Sequence, residues 1–181
     1  MHRHGIRKRR PLTVNIRPLR PADRQAIVDL YNHYIETSAC TFDLVPHTRD
    51  KRATWFGQFD GHRKRCLVAD LDGEVVGYAN SAQFRPKAAY DTSVEVSIYT
   101  HHEHQGKGIG RLLYSALFEA LSDTGVHRAY AGITLPNAAS VQLHSQFGFE
   151  PCGLFEQVGF KFDRFWDVGW YVRDCSSKTS Q

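Results

Sequence analysis

TSVEVSIYTHHEHQGKGIGRLLYSALFEAL, residues 92–121, changes its hydrophobic period halfway along, and that change decides the fold. Val94, Val96 and Ile98 alternate with Glu95, Ser97 and Tyr99, the period of a strand with one buried face, which puts the Glu95 carboxylate on the other face. Ile109, Leu112, Leu113, Ala116, Leu117 and Ala120 then recur at helical spacing. A strand enters a glycine-rich turn and a helix leaves it.

The turn reads Gln105-Gly106-Lys107-Gly108-Ile109-Gly110. Its glycines let backbone N–H groups approach a ligand with no side chain in the way, and the positive end of the following helix suits a phosphate. Two well-known phosphate motifs do not fit. A P-loop needs Ser or Thr after its Lys, but Gly108 follows Lys107. A dinucleotide fingerprint needs G-x-G-x-x-G and an acidic residue after the next strand; this chain has G-x-G-x-G and no such residue after the strand predicted at 128–134. What remains is Q-x-x-G-x-G between a strand and an amphipathic helix.

At 181 residues and 41% hydrophobic composition, the chain has the length of one domain with a full core. No apolar run is long enough to span a bilayer, so we expect a soluble cytoplasmic protein. Arg3, Arg7, Lys8, Arg9 and Arg10 come without acidic company, so the net charge of +4 belongs to this tail, read as a solvated end over 1–11. It lacks the apolar region of a signal peptide. Cys40, Cys66, Cys152 and Cys175 form no C-x-x-C pair, which favours reduced thiols. The domain is expected over 12–175, with a polar end at 176–181.

Within it, Leu12, Val14 and Ile16 alternate as a first strand stopped by Pro18 and Pro21, and Ala26, Ile27, Leu30, Tyr31, Tyr34 and Ile35 make a helical stripe. Residues 37–49 have no period and read as a loop crossing the surface. A short helix is predicted over 52–59. Apolar runs at 66–71 and 74–82 flank Asp72-Gly73, a strong hairpin signal. Residues 137–147 read as a helix stopped by Gly148. Residues 154–172 read as two strands, with Gly159 and Asp163 as turn formers. The order predicts a mixed α/β sheet with helices on both faces.

The loop and the order of elements resemble the GCN5-related N-acetyltransferases, whose central sheet is mixed and mostly antiparallel. Ile16-Arg17-Pro18, AYDTSVEVSIYT from Ala89, HQGKGIG from His104, LPNAASVQLHSQFGF from Leu135 and VGFKFDRFWDVG from Val158 narrow the likeness to the phosphinothricin and methionine sulfoximine N-acetyltransferases. The resemblance implies acetyl transfer from acetyl-CoA to the α-amine of a small amino acid analogue, and a homodimer.

Such a reaction needs a base for the amine, which is mostly protonated at neutral pH, a donor for the oxyanion and a proton for the departing thiolate. The resemblance places the base at Glu95 and a nearby histidine at His144, whose other reading is a hydrogen-bonded packing residue. It implies that Ile98, Tyr99 and Thr100 offer backbone groups to the pantetheine arm, and that residues from Gln105 and Gly106 through Lys107, Gly108, Ile109, Gly110 and Arg111 cradle the pyrophosphate. It also places Asn137, Ser140 and Phe147 along the arm; Asn137 suits a helix cap as well. On the acceptor side it implies Arg85 and Lys87 as cations, Tyr90 beside them, and Phe42 as an apolar wall. Where the family commonly has a second arginine, this chain has Lys87.

His101, His102, Glu103 and His104 invite a metal reading, but adjacent loop residues do not converge on one centre, and no metal is expected. An acetyltransferase for a peptide, a protein N-terminus or a polyamine is the alternative within the enzyme class. The basic tail suggests nucleic acid, yet no RNP, helix-turn-helix or zinc pattern accompanies it, and neither nucleic acid nor membrane is expected as a partner.

Overall fold

The computed structural model describes residues 13–176; the basic segment, Leu12 and residues 177–181 lie outside them. Seven strands form one sheet in the order β1-β2-β3-β4-β5-β7-β6. They are β1 (Val14–Pro18), β2 (Arg65–Leu71), β3 (Glu74–Gln83), β4 (Ser93–Thr100), β5 (Arg128–Leu135), β6 (Glu150–Lys161) and β7 (Arg164–Asp174). The helices are α1 (Arg24–Thr37), α2 (Ala53–Gly57), α3 (Ile109–Leu121) and α4 (Ala138–Gln146). Every neighbouring pair is antiparallel except β4 and β5.

Each face of the sheet carries helices because each has its own apolar stripe to cover. Ile109, Leu113, Leu117 and Leu121 of α3 pack with Val94, Val96, Ala129 and Ala131. On the opposite face Ile27, Val28 and Leu30 of α1, with Phe56 of α2, cover Val68, Val75 and Tyr78. Full burial of one such side chain contributes about 1.5–3 kcal/mol.

Asp72 and Gly73 both take positive φ, 52° and 93°, the turn that the Asp-Gly pair demands. The C-terminal hairpin corrects one expectation. Its turn is at Phe162 and Asp163, φ 53° and 55°, while Gly159 lies inside β6. Residues 137–147 match α4 and its two caps, with Gly148 left-handed beyond them.

The Ile16-Arg17-Pro18 motif has a physical reason. Arg17 reaches from β1 to donate from Nη1 and Nη2 to Asp23 (2.7 and 2.8 Å) and from Nε to Asp70 (2.9 Å), tying α1 to the sheet. Asp23 is only 6% exposed. Its hydrogen bond with Arg17 holds its carboxyl below the usual range.

Asp23→Ala removes two charge-assisted hydrogen bonds and leaves Arg17 with Asp70 as its remaining counter-ion, so it is expected to cost about 1.5–3 kcal/mol in urea unfolding. Because the folded pKa of Asp23 is depressed, its contribution is full above the unfolded pKa and lost as pH falls through the folded one. The gap between parent and variant should narrow below about pH 4.

Candidate active site

β4 and β5 pair only at Ser93↔Arg128, Val94↔Ala129 and Glu95↔Tyr130. Beyond that point each follows its antiparallel partner: β4 runs with β3 to Thr100, and β5 with β7 to Leu135. The strands part, and a cleft of about 610 Å³ opens between residues 96–100 on one side and 131–134 on the other. Backbone groups of β4 that face this opening have no strand partner, so they are free to bond an extended chain of amides.

One end of the cleft is the glycine loop. Gly106 and Gly108 take φ 73° and 80°, and Gly108 is the left-handed N-cap of α3. The N–H groups of residues 106–111 have no acceptor among the described residues, and they gather at the positive end of α3. That is an anion-binding arrangement. Gln105 donates to the Tyr34 hydroxyl (3.0 Å), which donates to the Thr100 carbonyl (2.5 Å), so the loop, α1 and the end of β4 are linked.

Gly110 also has a packing role: a Cβ there would lie 3.0 Å from the Leu143 side chain, so its bareness lets α4 come close to α3. Ile98, Tyr99, Thr100, Gln105, Asn137 and Ser140 all line the cleft, as do residues of the loop apart from Lys107. Lys107 is exposed, its Nζ 3.5 Å from His104 Nδ1. Asn137 caps α4 by accepting from the Ser140 N–H (3.1 Å).

Tyr99 contributes backbone only. Its ring lies on the α1 face, stacked on Tyr78 and edge-on to Tyr31, and burial pushes its phenol well above the usual range. Phe147 packs in the core against Tyr114 and Phe118 instead of lining the cleft. His144 does line it, but both ring nitrogens are engaged, Nε2 with the Tyr114 hydroxyl (2.8 Å) and Nδ1 with the Ser140 carbonyl (2.7 Å). Burial lowers its pKa.

Glu95 stands where the strands begin to part. It is half-buried, and burial raises its pKa while the Arg85 charge pulls it down. Arg85 Nη1 lies 3.8 Å from Glu95 Oε2, and its guanidinium rests over Phe84 (4.2 Å) and near Trp170 (5.7 Å). Phe84 stacks on Tyr130 and meets Tyr90 edge-on. Lys87 is exposed in the same connection. Phe42 packs onto Gly159 of β6, and Cys40, two residues earlier, lines the cleft.

Among the lining residues that the sequence does not mark as part of a site are Tyr34, Cys40 and the β5 segment Ala131–Thr134. Only the apolar run of β5 hinted at the last. Among the described residues, no group of three or more His, Cys, Asp or Glu is arranged to hold a metal ion.

Residues 27–149, which carry this parting strand pair and its loop, match the acetyltransferase (GNAT) family. The chain belongs to that family. It is an acetyltransferase, 45% identical over 163 residues to a phosphinothricin N-acetyltransferase of Streptomyces coelicolor, covering 88% of this chain and 95% of the relative. An L-methionine sulfoximine/L-methionine sulfone acetyltransferase of Salmonella typhimurium is 37% identical over 147 residues, covering 81% and 86%. Among solved structures, a GNAT superfamily phosphinothricin acetyltransferase from Sinorhizobium meliloti, in complex with acetyl-CoA, superposes with a TM-score of 0.87 at 32% identity, covering 94% of this chain and 92% of that one.

Gly108→Val forces a branched residue into a left-handed conformation at the loop's centre. Acetyl-CoA affinity by calorimetry is expected to fall at least about tenfold, or roughly 1.4 kcal/mol, and the backbone strain to lower stability by about 1–3 kcal/mol with the variant still folded. An unaltered affinity in the folded variant would take the loop out of the site.

Proposed function

We propose that this acetyltransferase acts on the α-amine of a small amino acid analogue of the phosphinothricin or methionine sulfoximine type, with acetyl-CoA as donor. The observation that carries the reading is the Arg85–Glu95 pair at the parting of β4 and β5, backed by Phe84, Tyr130 and Trp170. A guanidinium there suits a carboxylate or the oxygens of a phosphinyl or sulfoximine group. The aromatic side chains offer an apolar wall for an aliphatic stem, with Phe42 on the crossing segment as a further wall.

Acetyl-CoA supplies the activated acetyl thioester. Its pyrophosphate meets the N–H groups of residues 106–111, with Arg111 adding charge, and its pantetheine arm lies along the free edge of β4. Glu95 takes the proton that the acceptor ammonium must lose, directly or through water. A partly desolvated carboxylate has a pKa closer to that of an amine and so is a better base. Asn137 and Ser140 flank the arm, and His144 holds Ser140 and Tyr114 in place.

Glu95→Gln is expected to lower kcat by about 10²–10⁴ with acetyl-CoA affinity retained. Arg85→Ala should raise KM for phosphinothricin, methionine sulfoximine and methionine sulfone by about 10–100-fold, the worth of roughly 1.5–3 kcal/mol for a charge-assisted hydrogen bond, and leave a simple alkylamine unaffected. Burial raises the Glu95 pKa, so the acid limb of kcat/KM should lie above the ordinary glutamate value of about 4.3. Arg85→Ala removes the influence that lowers it, so the limb should move further up. If the alkylamine or a peptide amine is the best substrate, the amino acid reading fails.

We also infer a cytoplasmic homodimer. Phe155, Val158, Phe160, Phe162 and Phe165 are 50–58% exposed along β6, an edge strand, and β7. A self-complementary contact would cover both the edge and its apolar side chains. The four free cysteines suit a reducing compartment. Sedimentation should give a dimer for the parent and a monomer for Phe160→Asp; a monomeric parent would end this reading.

A further inference from the structure

β6 has twelve residues, and only Gly159 and Lys161 among them are buried. Both are covered by the same segment, 38–47, which crosses from the end of α1. Phe42 lies so close over Gly159 that a Cβ at that position would fall against the ring. Lys161, 4% exposed, donates from Nζ to the Thr41 carbonyl (2.9 Å), lies 5.1 Å from the Phe162 ring, and is within 4 Å of no carboxylate among the described residues. Asp43 acts on this ammonium only from beyond ion-pair distance, so its burial is costly and the packing around it has to hold the tie in place.

The other side of the segment is fixed to the β4 half of the sheet. The Tyr31 hydroxyl bonds Thr41 Oγ1 and Asp43 Oδ2 (both 2.6 Å), and the Tyr31 ring stands edge-on to Tyr99 of β4. Asn32 exchanges two hydrogen bonds with the backbone of His47 (2.8 Å each). The segment thus joins the two halves that separate beyond Glu95 and Tyr130, and Cys40 within it lines the cleft.

We propose that residues 38–47 form a strap across the acceptor side of the cleft, and that Gly159 and Lys161 are positioning residues whose contacts set its height and so the acceptor's fit. Neither residue touches the coenzyme cleft. Gly159 is bare so that Phe42 can seat on β6, and Lys161 holds the neighbouring carbonyl down. A methyl group on Gly159 lifts Phe42, and with it the wall that the proposed function gives to the substrate stem. The proposal rests on that reading for the meaning of Phe42.

The test compares the parent with Gly159→Ala, Gly159→Ala/Phe42→Leu and Lys161→Met. It measures acceptor KM and kcat, acetyl-CoA affinity by calorimetry, and hydrogen exchange of peptides spanning 38–47. Misplacement of a wall by about 1 Å can cost up to about 10²-fold, so Gly159→Ala is expected to raise acceptor KM about tenfold or more. Acetyl-CoA affinity should stay within about twofold, and exchange in the strap should speed up. The double variant should recover protection of the strap, because the smaller side chain makes room for the methyl; its KM is not used, since it also changes the wall. Lys161→Met removes the tie without adding bulk and should show the same split, which keeps the test decisive if Gly159→Ala does not fold. Unchanged KM and exchange in a folded variant, or acetyl-CoA affinity falling in step with the acceptor's, would overturn the proposal. The amine used is whichever the parent turns over best, so a wrong substrate class is seen in the parent and a wrong strap in the variants.

Discussion

The site depends on a conflict of allegiance between two parallel strands. β4 is paired along its length to β3, and β5 to β7, both antiparallel. The parallel pairing between β4 and β5 is the weaker interaction per residue, and the twist of each half carries them apart after three register pairs. α3 lies under the junction and keeps the two halves in one core, packing on Val94 and Val96 from one side and Ala129 and Ala131 from the other. An opening inside a sheet would ordinarily leave costly unpaired backbone. Here it faces a cleft, where those groups are open to a ligand.

The glycine loop and Glu95 stand at opposite ends of the parted stretch of β4, the loop lining the cleft and Glu95 at the last register pair before it opens. At the loop, uncompensated N–H groups and the α3 dipole make a positive end that needs no side chain to define it. At the other end, Glu95 is partly desolvated with one cation nearby, so its proton affinity reflects burial more than pairing. His144, singled out with Glu95 from the sequence, has both nitrogens committed to Tyr114 and Ser140. Glu95 is held by no such pair of bonds; its one charged neighbour is Arg85 at 3.8 Å.

The strand pattern around Glu95, the Asp72-Gly73 hairpin, the Gly148 stop and the strand-loop-helix order were readable because each is a local property of period or turn chemistry. Gly159 was misread as a turn residue for the same reason: a glycine in an apolar run looks like a turn, and its partner Phe42 lies far away in the chain. Phe147, an aromatic residue after a helix, fits the coenzyme arm or the core by sequence, and its ring packs on Tyr114 and Phe118. Cys40 and Tyr34 gave no signal at all, because they reach the cleft only through the packing of α1.

By itself the sequence determined the elements, the phosphate-type loop and the face of β4 that carries Glu95, since period and glycine placement act over a few residues. The tertiary structure alone decided that β4 and β5 part, that Arg85 comes within 3.8 Å of Glu95, and that β6 reaches back to hold residues 41 and 42. These are meetings of segments distant in the chain. They follow from which strand pairs with which and from the room left between side chains, and neither is written in the period of any one segment.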